Sequence, residues 1–254
     1  METFQREMGR RGFLKELGIF GIAPFVSRLP KFDLTPNLSV EGEHPYYTQF
    51  RTIETARGPI IIEANSTVNY RALIKANDEL LNLTSFREDL LPNLARHRFK
   101  IAILPERAPL NSIPQFSNFT INTGGYTEWA EGGIVAAVSE GNLLGRLTGN
   151  ELEDWTTRIG FSIAYHEYGH ALVMGGINNE EHTYWITQLY HSLLQQPNFP
   201  ASWRDIFPHT FTTFIKHGEM FAEFMRGAKQ GLGPQIRGKS AEAGSFFSNI
   251  LGPF

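Results

Sequence analysis

Residues 159–174 form an apolar run with His166, Glu167 and His170 set into it. Burying two imidazoles and a carboxylate without partners costs on the order of several kcal/mol. On a helix His166 and His170 stand at i and i+4, so both rings leave one face. A single metal ion bound by both rings removes the burial cost. The pattern H-E-x-x-H then places Glu167 beside that ion as a base acting on water. The alternative is a helix whose histidines are merely hydrogen-bonded. The run predicts a long helix over residues 151–174, capped by Thr148 or Asn150. Glu151, Glu153 and Asp154 load its first turn, and Gly175 and Gly176 end it. The motif falls in its last third.

A catalytic zinc takes three protein ligands and keeps a fourth position open. The metzincin pattern needs glycine at position 173 and histidine at 176, where this chain has Val173 and Gly176. The third ligand is then sought downstream, among His182, His191, His209, His217, Glu180, Glu181, Glu219 and Glu223. Glu219 and Glu223 are one helical turn apart in an otherwise apolar segment, so both carboxylates share a face. One can bind zinc while the other accepts the N–H of a ligand histidine. A solvated carboxylate pair is the competing reading. Glu180 and Glu181 read as first-turn charges of the next helix.

His166-Glu167-Tyr168-Gly169-His170-Ala171, followed by Glu219-Met220-Phe221-Ala222-Glu223, resembles the catalytic domain of the anthrax toxin lethal factor and its relatives. Those are gluzincin-type zinc peptidases with H-E-F-G-H-A and E-x-F-A-E motifs. Glu219 lies 49 positions after His170, a gap that suits the group and exceeds that of thermolysin-like enzymes. The resemblance, over roughly residues 130–230, implies Glu219 as zinc ligand and Glu223 as its outer neighbour. The family also places a catalytic tyrosine about two turns before the ligand glutamate. Here that slot holds Thr212, flanked by Phe211 and Phe214, so an oxyanion donor is sought among Tyr184, Tyr190, His209 and His217.

With 41% hydrophobic and 19% charged residues over 254 positions, the chain suits one substantial globular domain. A formal net charge of −3 gives no electrostatic case for nucleic acid. No apolar run reaches the ~20 residues of a membrane-spanning helix. The absence of cysteine excludes disulfides and thiolate zinc ligands. Arg10-Arg11 followed by Phe13-Leu14-Lys15 and an apolar stretch to Val26 resembles a twin-arginine export signal, predicting a periplasmic or extracellular protein. A cytoplasmic protein with an amphipathic N-terminal helix is the alternative. Residues 1–45 are thus expected to be signal and linker. Residues 46–254 are expected to form a single catalytic domain, with an N-terminal lobe over 46–125 and a metal-binding half over 126–254.

Strands are expected at 47–55 and 59–63 around an Arg57-Gly58 turn, and at 99–104. Helices are expected from Ser66 or Thr67 to Leu83 and over 85–97. The strand over 132–138 is read either as an ordinary core strand or as a sheet edge beside the site, where Gly133, Ile134, Val135 and Ala136 would pair with an extended substrate. Tyr184, Trp185, Tyr190, Phe199 and Trp203 are read as helix packing. The expected fold is α+β, a small sheet against a helical C-terminal half. The expected function is a zinc endopeptidase binding one zinc through His166, His170 and Glu219, with Glu167 as general base on a peptide or protein substrate. A non-catalytic zinc-binding regulatory domain and a zinc amidase acting on cell-wall or other non-peptide amides are the alternatives.

Overall fold

The computed structural model describes residues 45–106, 108–119, 125–146, 162–207 and 216–254. The twin-arginine segment and nearly all of the linker lie outside the described residues. The fold is α+β, built on one five-stranded mixed sheet. β1 (Gln49–Thr55) and β2 (Gly58–Ala64) form the expected antiparallel hairpin. Its turn uses Gly58 at φ +116, a conformation that only glycine adopts without strain. α1 (Tyr70–Thr84) and α2 (Leu90–Arg96) cross over to β3 (Lys100–Leu104), parallel to β2. α1 starts later than expected because Asn69 is the cap, its side chain accepting from the Arg71 N–H at 3.0 Å. β4 (Gly125–Ala130) and β5 (Gly133–Ser139) make a second hairpin through Glu131 and Gly132, both at positive φ. That is the geometry a two-residue turn between twisted strands requires. A single turn, α3 (Glu140–Leu143), follows.

The strand order is β1-β2-β3-β5-β4, which corrects one expectation. β5 is not an edge. Gly133, Ile134, Val135 and Ala136 pair with β4, and Val135 and Ala136 also pair with β3. All four are buried, so none is free to pair with a substrate. The reason is compositional: β5 is apolar over Ile134–Val138 and needs cover on both faces, whereas β4 carries Thr127, Glu128 and a half-exposed Trp129. The edge strand is β4. β3, from residues 46–125, and β5, from residues 126–254, hydrogen-bond each other within this one sheet.

The expected long helix is also shorter. α4 (Ile163–Ala171) begins at Ser162, whose extended backbone and side-chain bond to the Tyr165 N–H mark an N-cap. The expected caps Thr148 and Asn150 and the acidic stretch at 151–154 lie outside the described residues. The far end continues as a π-turn, Leu172–Gly176. The motif therefore occupies the body of a short helix. α5 (Asn179–Tyr184) opens with a capping box between Asn178 and Glu181, and Glu180 and Glu181 sit in its first turn as expected. α6 (Tyr190–Leu194), α7 (His217–Gly227), α8 (Gly233–Lys239) and α9 (Ala241–Leu251) complete the described helices.

Alternation along the strands separates two cores. Ile101, Ile103, Ile134 and Val138 face the helices, where they join Leu73, Leu80, Tyr168 and Leu172. Ala102, Leu104, Val135 and Ala137 face the other way, under Leu110, Ile113 and Phe116. Trp185 is fully buried against Phe224 and Phe247, and Trp203 against Phe224, with ring centroids 4.9–6.4 Å apart. Both indole N–H groups are satisfied, by the His217 carbonyl at 3.1 Å and by Gln196 at 3.0 Å. These two tryptophans pack helices, as expected. No helix among the described residues is long and apolar enough to cross a membrane.

Candidate metal centre

α4 meets α7 at two small residues. A Cβ on Gly169 would lie 2.7 Å from the Ala222 Cα, so the two helices approach to a distance that only glycine permits there. This contact brings His166 and His170 of α4 to Glu219 and Glu223 of α7. The Nε2 atoms of His166 and His170 are 3.1 Å apart. Glu219 Oε2 lies 3.4 Å from the first and 3.5 Å from the second. A tetrahedral zinc with ligands at about 2.0–2.1 Å spaces its donor atoms by roughly 3.3 Å. The three edges of the donor triangle bracket that value, so these residues fit one zinc-sized ion. It is the one group of three such side chains among the described residues.

Glu223 stands behind the triangle. Its Oε1 is 2.8 Å from His166 Nδ1. A carboxylate on Nδ1 takes the ring N–H and leaves the Nε2 lone pair toward the triangle. Glu223 itself is 1% exposed, and its other oxygen accepts from Arg226 Nη2 at 2.6 Å and Nε at 3.2 Å.

Glu167 leaves α4 in another direction, toward the edge strand. Its Oε2 is 2.8 Å from the Thr127 hydroxyl of β4. Gly125 makes room for it: a side chain there would strike Ile163 and the Glu167 carboxylate. Burial raises the Glu167 pKa, against the charges of His166 and His170 and the hydrogen bond from Thr127. A raised pKa is what a carboxylate needs to take a proton near neutral pH.

The site is rich in negative charge. Burial disfavours charge on His166, but hydrogen bonds to Glu219 and Glu223 outweigh it and raise its pKa from 6.5 to about 10. Burial disfavours charge on Glu219 too, and the hydrogen bonds from His166 and His170 overcome it, holding this carboxyl well below its ordinary range. Without a metal, a proton on His166 supplies positive charge between Glu219 and Glu223. The folded pKa lies above the unfolded one, so the stability gained is fully present below about pH 6.5 and is lost as pH rises through about 10. The metal-free protein is therefore expected to melt at progressively lower temperature from pH 7 to pH 10, and added zinc to flatten that slope. A metal-free melting temperature that stays level or rises over this range would contradict the charge balance.

The structure thus brings His166, Glu167, His170, Glu219 and Glu223 together, and leaves Gly133, Ile134, Val135 and Ala136 buried inside the sheet. Of the other residues considered as donors, Tyr184 donates its hydroxyl to Glu242, and Tyr190 lies against the His217 ring at 6.1 Å. His209, Phe211, Thr212 and Phe214 lie outside the described residues. Tyr126 of β4 carries a signal absent from the sequence. Burial, a hydrogen bond to Glu128 and the charges of Glu128, Glu167 and Glu219 push its hydroxyl pKa up to about 12. Thr127 and Gly125 were equally silent in the sequence. Arg226, three positions after Glu223 on α7, was not singled out by the sequence either. Comparison of the chain with protein-family models, curated proteins and solved structures gave no match.

Proposed function

We propose that this protein is a zinc-dependent endopeptidase of the gluzincin type, with His166, His170 and Glu219 as metal ligands and Glu167 as general base. The observation that carries this reading is the donor triangle, whose 3.1, 3.4 and 3.5 Å edges match the donor spacing of a tetrahedral zinc. A bound zinc supplies a Lewis acid that polarises a carbonyl and makes water more acidic. The protein residues do the rest. Glu167 accepts a proton from the attacking water on its carboxylate and delivers it to the leaving amine nitrogen. Thr127 orients that carboxylate through the bond to Oε2. Glu223 holds His166 by Nδ1.

An extended peptide suits the surroundings. β4 hydrogen-bonds β5 along one side and ends the sheet among the described residues. Main-chain groups of a substrate can add to such an edge, which aligns its scissile carbonyl with Thr127 and Glu167. The test is zinc per chain in wild type and Glu219→Ala, with hydrolysis of a broad peptide library in parallel. The wild type is expected to hold about one zinc and to cleave peptides in a chelator-sensitive way, and the variant to lose most of both. Equal zinc in the two proteins would remove Glu219 from the ligand set. Zinc without cleavage of any peptide would favour a binding domain or an amidase.

A further inference from the structure

We infer that Arg226 is a positioning residue for the metal, acting on His166 through Glu223. The inference rests on the zinc reading above and extends it one layer outward. Arg226 is 5% exposed and sits one turn beyond the glutamate pair on α7. Its three guanidinium nitrogens are all engaged. Nε and Nη2 donate to Glu223 Oε2 at 3.2 and 2.6 Å, and Nη1 donates to Gln230 Oε1 at 2.8 Å. The Phe207 ring lies 6.0 Å from the guanidinium carbon.

The division of the carboxylate is what makes this more than an ion pair. Arg226 occupies Oε2, and His166 Nδ1 faces Oε1. The two partners therefore do not compete, and the line Gln230–Arg226–Glu223–His166 ends at the donor triangle. A carboxylate 1% exposed keeps its charge only beside a cation. Arginine suits the position because it remains charged and presents a planar fork. Without it Glu223 would lose the two bonds that hold its carboxylate in place, and His166 would lose the fixed partner on Nδ1 that sets its ring. Outer partners of metal-bound histidines typically contribute 10–100-fold in metal affinity.

The experiment measures zinc affinity by competition with a chromogenic chelator, and the visible spectrum with cobalt substituted for zinc. It compares wild type with Arg226→Met, Arg226→Lys, Glu223→Gln and the double variant Glu223→Gln/Arg226→Met. Arg226→Met is expected to bind zinc at least about tenfold more weakly and to alter the cobalt spectrum. Arg226→Lys should recover part of the loss. If arginine acts through Glu223, the double variant binds zinc no more weakly than Glu223→Gln alone. A folded Arg226→Met that binds zinc within about twofold of wild type overturns the inference, as does a double variant whose two losses simply add. Should Arg226→Met fail to fold, Arg226→Lys decides: weaker zinc binding with an altered cobalt spectrum is expected because lysine lacks the planar fork, and binding within about twofold of wild type with an unchanged spectrum overturns the inference. A wild type that binds no zinc overturns the metal reading itself, and is distinguished by that.

Discussion

Glu167→Gln is expected to keep its zinc and lose peptide hydrolysis by about 10²–10⁴-fold. Glutamine has the shape of glutamate and can still meet the Thr127 hydroxyl, which lies 2.8 Å from Oε2 in the wild type. It cannot hold the proton that attack on a carbonyl releases. The three donor atoms belong to His166, His170 and Glu219 and are untouched by the change. The loss should appear in kcat and in kcat/KM alike, because the proton transfer is made in the transition state. Metal analysis beside steady-state kinetics on one peptide checks it. Turnover within a few-fold of wild type would eliminate Glu167 as the base.

Gly169→Ala should destabilise the protein by about 1–3 kcal/mol and weaken zinc binding at the same time. Helix propensity alone argues the other way, since alanine is favoured over glycine by roughly 1 kcal/mol in a helix interior. Packing is expected to win. The added methyl would sit 2.7 Å from the Ala222 Cα and 3.3 Å from its carbonyl oxygen, and backbone atoms cannot rotate aside. The helices must separate, which carries Glu219 on α7 away from the histidines on α4. For a domain of this size the melting temperature should fall by roughly 2–4 °C per kcal/mol. Thermal unfolding and zinc titration measure both effects. An alanine variant as stable as wild type would show that α4 and α7 are looser than the structure has them.

Much of the local structure was legible from residue order. The Arg57-Gly58 turn, the first-turn charges Glu180 and Glu181, and the inward tryptophans all follow from short-range chemistry. So does the pairing of His166 with His170, which needs only a helix. The N-terminus of α4 was misread because an acidic, cap-like stretch at 148–154 outweighed Ser162, a single serine inside an apolar run. β5 was read as a possible edge because it precedes the motif in sequence, while β4, just before it in the chain, pairs along its outer side.

The chain on its own determined that a helix with two histidines and a glutamate in an apolar run must answer for their burial, and that the fold is α+β. Such conclusions depend on periodicity, which acts over one or two turns. The tertiary structure alone decided which strand borders Glu167 and that Arg226 backs Glu223, and it set Glu219, implied by the resemblance, within 3.5 Å of both histidines. Those facts depend on how closely α4 can approach α7. That closeness is set by Gly169 against Ala222, 53 positions apart in the chain, a contact no local pattern encodes.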